Sequence, residues 1–223
     1  MKTNGHIETK MIGKNAPTTG LVPSIILEDP KYARNVSQIV RLASGYDFKQ
    51  VFFTGNRVDL EDPTKNIDGR GGNKGGKKGK GKARLPREER MKGYQKVQIC
   101  HHQRPFDCFA SGTPVIGIEL REGAMPLHEF EHPEKAIYVF GPEDGSINRL
   151  ARHCHQFVYI PVRHCLNLAT AASTILWDRQ MPLLQSGAIV TESMDDLLRG
   201  DRASLRMQDF ESLDMVSDGG GKR

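Results

Sequence analysis

The sequence predicts an α/β domain built on a parallel sheet, and three observations lead there. Short apolar runs recur at Pro23–Leu27, Gln50–Thr54, Val115–Ile118, Ala136–Phe140 and Phe157–Ile160, each of a length suited to a buried strand. Between them lie segments with apolar residues at helical spacing, Val36, Ile39, Val40 and Ala43 in one, and Ala169, Ala172, Ile175, Leu176 and the lone Trp177 in another. Glycine, proline and acidic residues punctuate the boundaries. Strands alternating with helices make βαβ units, whose crossovers are expected to be right-handed.

The elements follow in order. Residues 1–20 are polar and aperiodic, with Lys2, Gly5, Lys10, Gly13, Lys14 and Pro17, and read as a flexible arm. The first strand, Pro23–Leu27, ends in the turn chemistry of Glu28-Asp29-Pro30. A helix capped by Asn35 runs to a stop at Gly45, and Gln50–Thr54 returns as the second strand. Asp68 to Arg90 interleaves glycines with cations and has no large apolar residue before Leu85, so residues 65–92 read as a mobile basic loop. After Val97–Cys100 and the turn-like Ser111–Pro114 come the third and fourth core strands, Val115–Ile118 and Ala136–Phe140. Ile147–His153 is predicted as a short helix, Phe157–Ile160 as the fifth strand and Leu166–Leu184 as a long helix. The domain thus spans 21–184, with an extension at 185–223 whose end, Ser217–Arg223, has a disordered composition.

Composition narrows the class. With 223 residues, 37% hydrophobic, the chain can build one domain with unpacked segments around it. The formal charge is +5, compatible with a polyanionic partner. No apolar run approaches the roughly 20 residues of a membrane span, and the first twenty residues lack the apolar stretch of a signal peptide. A cytoplasmic protein with no membrane association is therefore expected. The four cysteines, Cys100, Cys108, Cys154 and Cys165, have spacings unlike a disulfide framework or a zinc knuckle, so reduced thiols and no metal are expected.

Three blocks lie where α/β sheets place their sites, at strand ends and the loops that leave them. Asn35-Val-Ser-Gln-Ile-Val-Arg41 puts a polar residue at a helix start and an arginine on the same helix; a cap and a solvated cation are the ordinary alternative. Phe140-Gly-Pro-Glu-Asp-Gly145 leaves a buried strand through a turn where glycine permits close approach of a ligand and Glu143 offers an acceptor; a plain Gly-Pro turn is the ordinary alternative. Ile160-Pro-Val-Arg-His-Cys-Leu-Asn-Leu-Ala169 joins a strand to a small-residue helix whose first amides could face an anion or an adenosine.

The order and separation of these blocks are more specific than any one of them. Asn-x5-Arg after the first strand, Gly-x-Glu-x-Gly after a late one, then Ile-Pro and a Leu-Asn helix entry resemble the three motifs of the SPOUT superfamily, and within it the TrmH-type RNA ribose 2′-O-methyltransferases. The resemblance covers about Leu21 to Leu184. It implies a parallel sheet flanked by helices and closed by a deep C-terminal trefoil knot, with S-adenosylmethionine as cofactor and a homodimer as the working unit. It implies catalytic roles for Asn35, Arg41, Glu143 and Asn167. It further implies backbone contacts to the cofactor near Ile118, Gly141, Ile160 and Leu166. Where relatives read Ser-Leu-Asn in the third motif, this chain reads Cys165-Leu166-Asn167, and a thiol donates hydrogen bonds less well than a hydroxyl.

Family accounts make the arginine the base that takes the ribose proton. A guanidinium stays protonated up to a pKa of about 12 or more, so Arg41 suits better the stabilisation of a developing alkoxide or an adjacent phosphate. Both roles stay open at this point. Structured RNA is the expected substrate, transfer RNA first and ribosomal RNA next. Lys74, Lys77, Lys78, Lys80, Lys82 and Arg84 of the basic loop would meet its phosphates without reading bases. One rival is a non-catalytic RNA-binding protein that keeps the fold. Another is a dinucleotide-dependent oxidoreductase, which would want Gly-x-Gly-x-x-Gly after the first strand, where this chain has Glu28-Asp-Pro-Lys31.

Overall fold

The computed structural model describes residues 10–12, 20–58, 97–190, 193 and 194. The basic loop at 65–92, with its six predicted RNA contacts, lies outside the described residues, as does nearly all of the chain beyond 190. The chain divides into two compact units, Met1–Gln180 and Met181–Arg223. In the second, the described residues include the last turn of a helix, closed by backbone bonds from Ser186 N–H to the Pro182 carbonyl and from Gly187 N–H to that of Leu184.

The first unit is an eight-stranded sheet in the order β1-β4-β3-β2-β7-β5-β8-β6. The strands are β1 Lys10–Ile12, β2 Ser24–Leu27, β3 Gln50–Phe53, β4 Gln98–His101, β5 Val115–Ile118, β6 Met125–Pro126, β7 Ile137–Phe140 and β8 Gln156–Tyr159. All pairings are parallel except that of β1, which runs antiparallel to β4 at one edge. Three residues of the predicted flexible arm thus form a strand, and two strands short of an obvious apolar run, β1 and β6, extend the predicted sheet at its edges.

The central strands read as unbroken apolar runs because both faces are covered. Ile25, Leu27, Val51, Phe53, Tyr138 and Phe140 face one cluster, packed under α1 (Ala33–Gly45) and α2 (Leu168–Gln185). Their neighbours Ile26, Phe52, Ile137, Val139 and Cys100 face the other, covered by Phe106, Phe109, Ile147 and Leu150 from the connecting segments and by Phe157 of β8. In α1 the residues Ala33, Val36, Ile39, Val40 and Ala43 are buried, whereas Arg34, Gln38 and Arg41 are exposed, the stripe pattern of a helix lying on a sheet. Trp177 departs from its predicted place in the apolar stripe of α2, being 52% exposed.

Two helix predictions need correction. Asn35 is not the cap of α1: the cap is Tyr32, extended and without a side-chain cap bond, and Asn35 lies inside the first turn. The predicted helix Ile147–His153 is reduced to a single 3-10 turn, Ala151–His153. Its leading amides, Asn148, Arg149 and Leu150, donate instead to the buried Glu28 carboxylate at 2.9, 2.8 and 3.4 Å.

Strand order carries the chain outward through β3 and β4 on one side of β2, while β7, β5 and β8 build the other side. The order therefore reverses between β2 and β7, and in open α/β sheets the crevice beyond the strand ends at such a point is where ligands bind. Among the described residues no helix is long and apolar enough to cross a membrane.

Candidate functional site

Beyond the carboxyl ends of β2 and β7, two of the three sequence blocks meet side chain to side chain, and the third joins them. Glu143, on the loop leaving β7, reaches the start of α1. Its Oε2 accepts the Lys31 N–H at 2.6 Å, and its Oε1 accepts the Tyr32 N–H at 3.3 Å and Asn35 Nδ2 at 2.6 Å. A carboxylate from 108 residues away thus serves the helix start in place of a local cap, where the helix dipole also favours negative charge. Asn167 Nδ2 then donates to Asn35 Oδ1 at 3.2 Å, and Asn167 Oδ1 accepts the Ala169 N–H at 3.0 Å in the first turn of α2.

The result is a chain of donors running one way, from the Ala169 amide through Asn167 and Asn35 to the Glu143 carboxylate. Linked hydrogen bonds of this kind polarise one another and fix both amide orientations. Asn35 is 1% exposed, Glu143 half-buried and Asn167 exposed, so the network opens to solvent at its Asn167 and Glu143 ends.

The loop that carries Glu143 is held from several sides. Arg57 Nη2, after β3, donates to both oxygens of Asp144 at 2.9 and 3.0 Å, and Lys31 lies 3.3 Å from the same carboxylate. The Arg57 hydrogen bond, with help from Lys31, holds Asp144 below the usual carboxylate range. Glu119, after β5, accepts the Ile147 N–H at 2.9 Å, and Glu28, at the end of β2, takes the three amides beyond it. Sequence reasoning missed Glu28 and Glu119 as organisers. The available signal was an acidic residue directly after an apolar strand, which reads as turn chemistry at Glu28 and is not singled out at Glu119.

Gly141 is needed for close approach. A Cβ there would stand 2.9 Å from the Ile147 nitrogen and 3.3 Å from Ile147 Cγ1, with backbone on one side and a packed side chain on the other. Gly141→Ala is therefore expected to cost about 1–3 kcal/mol, as overpacking does. Thermal unfolding of the variant checks this, and an unchanged Tm would contradict the packing account.

The residues expected around a cofactor stand on neighbouring strand ends. Ile118 pairs in register with Phe140 and with Val158, which brings Ile118, Gly141 and the segment to Ile160 to one level of the sheet edge. Ile118, Gly141 and Ile160 are half-buried, and Leu166 is 37% exposed. Arg41 does not join the network. It is about one and two-thirds turns from Asn35 on α1, exposed, and has no hydrogen-bond or ion-pair partner among the described residues.

The cysteines give no centre of their own. Burial pushes the Cys100 and Cys154 thiols up to about 12, which keeps them protonated near neutrality, and Cys165 is exposed on the loop before α2. Among the described residues no group of three or more His, Cys, Asp or Glu is arranged to hold a metal.

Comparison with known proteins bears directly on these blocks. Residues 87–177 match the model of the SpoU rRNA Methylase family, a segment that includes β5, β7, β8 and the second and third motifs. No curated protein sequence matches the chain. Among solved structures, one from work on 2-OH methylation of C/U34 on tRNA is similar with a TM-score of 0.55 at 17% identity, over 73% of this chain and 96% of that one. The A. aeolicus TrmH/SpoU tRNA modifying enzyme is similar with a TM-score of 0.55 at 15% identity, over 88% and 92%. The SpoU methyltransferase AviRb of Streptomyces viridochromogenes, solved with AdoMet, is similar with a TM-score of 0.56 at 17% identity, over 77% and 60%. At these identities the structures establish the fold alone, and the family match is confined to residues 87–177, where the chain is similar to the SpoU rRNA methylases.

Proposed function

We propose that this protein is an S-adenosylmethionine-dependent RNA methyltransferase acting on a ribose 2′-hydroxyl of structured RNA, transfer RNA before ribosomal RNA. The observation that carries the reading is the relay Asn167–Asn35–Glu143, which ties all three motifs into one site at the point where strand order reverses. The AviRb structure with AdoMet and the structure concerned with 2-OH methylation of tRNA support the choice of cofactor and acceptor.

The residues at the sheet edge fit such a cofactor. Adenosine-bearing ligands favour a mostly apolar slot with a few backbone polar groups, and Ile118, Gly141, Ile160 and Leu166 offer small or aliphatic surface on adjacent loops. When bound, S-adenosylmethionine supplies an electrophilic methyl group on a sulfonium. The chain's own residues orient the acceptor. In this reading Asn167 and the open side of Glu143 bind the ribose hydroxyls, while Asn35, at 1% exposure, positions those two and has no surface for the ribose itself. Arg41, a permanent cation without a partner among the described residues, stabilises the alkoxide that develops as the hydroxyl gives its proton to solvent water. Its exposure supports the homodimer, in which a second copy would bring a site up to that face of α1. The same reading includes the C-terminal trefoil knot, a cytoplasmic location, and contacts from the basic loop to RNA phosphates.

Calorimetric titration with S-adenosylhomocysteine, with NAD as the control, tests the proposal. Saturable binding near one ligand per chain is expected, along with thermal stabilisation of about 2.7 kcal/mol at a hundredfold excess over Kd. Absence of binding would overturn the enzymatic reading in favour of a non-catalytic RNA-binding protein.

A further inference from the structure

The face of the sheet opposite α1 and α2 carries a charged cleft that the relay does not use. One part, about 270 Å³, is walled by Gln103, Arg104, Asp107, Arg149, Arg152 and His153. A second part, about 350 Å³, shares Phe106, Arg152 and His153 with the first and continues over Phe109 and Gly112. Three guanidinium groups stand there against the single carboxylate of Asp107. Arg104 pairs with that carboxylate at 3.1 Å. Arg149 Nε lies 3.8 Å from Glu28, whose oxygens are already taken by backbone amides. Arg152 Nε donates to His153 Nε2 at 3.3 Å, and the His153 ring lies 4.6 Å from Phe106 at a tilt of 32°. The terminal nitrogens of Arg149 and Arg152 have no partner among the described residues.

The cleft is tied to the site by shared backbone. Its Arg149 amide is held by Glu28 at the end of β2, and the segment bearing Arg149 is the continuation of the loop that carries Glu143. Gln103 and Arg104 follow the end of β4, which runs parallel to β3 and so opens at the same edge as β2 and β7. Planar guanidinium forks match phosphate oxygens bidentately, and rings beside them give bases a surface to stack on. An acidic peptide would satisfy the cations but leave the Phe106 and His153 rings without a role.

We propose that this cleft binds a single-stranded stretch of the RNA substrate flanking the acceptor ribose, with Arg104, Arg149 and Arg152 on phosphates and the Phe106–His153 pair against a base. The proposal rests on RNA being the substrate, as argued above, and it adds a contact surface separate from the cofactor and acceptor residues.

The test uses the full chain, a fluorescein-labelled single-stranded RNA oligonucleotide read by anisotropy across a salt series, and the variants R104Q/R152Q and R104K/R152K. Both arginines are exposed, so folding should survive. The glutamine variant is expected to bind RNA at least about tenfold more weakly and to flatten the salt slope by about 1.4, at about 0.7 per lost phosphate contact on a single strand. The lysine variant should recover the slope and only part of the affinity, because it keeps charge without the fork. Unchanged RNA affinity and slope in R104Q/R152Q would overturn the proposal, as would adenosine monophosphate binding as tightly as the oligonucleotide. S-adenosylhomocysteine affinity, measured on the same samples, should not change. If the wild-type chain binds RNA through the cleft yet no S-adenosylhomocysteine, the methyl-transfer reading fails and the cleft stands.

Discussion

Arg41→Ala is expected to lower methyl transfer by about 100- to 1,000-fold, the usual effect of removing one donor to a developing oxyanion. Stability should stay within about 0.5 kcal/mol of wild type, because the side chain is exposed and nothing among the described residues depends on it. S-adenosylhomocysteine affinity should remain within a few-fold. This combination is informative because a structural role would move the Tm and a cofactor role would move the binding constant, and neither is expected. Arg41→Lys keeps the charge but not the fork, so partial activity is expected. Single-turnover rates with saturating RNA check the claim, and an alanine variant that retains most turnover would remove Arg41 from the mechanism.

Glu143→Ala should combine a similar loss of activity with a measurable loss of stability. The carboxylate accepts three N–H donors, and one of them, Asn35 Nδ2, belongs to a residue that is 1% exposed. A buried donor left without a partner costs about 1–3 kcal/mol, so a fall in ΔG of unfolding of about 2 kcal/mol is expected. Activity should fall further than the unfolded fraction explains, because Asn35 and Asn167 lose the anchor that fixes their orientation. Glu143→Gln separates shape from charge. Its amide fills the space, but its NH2 must face either the Lys31 amide or Asn35 Nδ2, donor against donor. It too should lose most activity, with rates corrected by circular dichroism for folded fraction. A glutamine variant with wild-type turnover would contradict the relay.

Much of this was legible in the sequence, for identifiable reasons. The central strands declared themselves because burial on both faces leaves an uninterrupted apolar run, as in Ser24–Leu27 and Ile137–Phe140. The periodicity of α1 was plain for the opposite reason, since only one of its faces is covered. Asn35 and Glu143 were each visible as candidates, but not their contact, because a bond across 108 residues leaves no local trace. That same non-local carboxylate explains why Asn35 was read as a cap: the helix start lacks one of its own. The 3-10 turn at Ala151–His153 was overread as a helix for a related cause, the amides before it being drawn to Glu28. Strands β1 and β6, three and two residues at the sheet's edges, are too short to carry a periodic signal.

The site was legible by motif more than by geometry. Arg41 was paired with Asn35 on spacing, yet the helix turns the two to different faces, one buried and one exposed. The relay runs through Asn35, Glu143 and Asn167, and any role for Arg41 is played from outside it.

The measurement closest to the central claim is nucleoside mass spectrometry of transfer and ribosomal RNA pools, lacking their modifications, after incubation with the protein and deuteromethyl S-adenosylmethionine. The account predicts a labelled nucleoside whose extra mass stays with the ribose on fragmentation, and its loss in Glu143→Ala. Label retained on a base, or no label in any RNA, would contradict it.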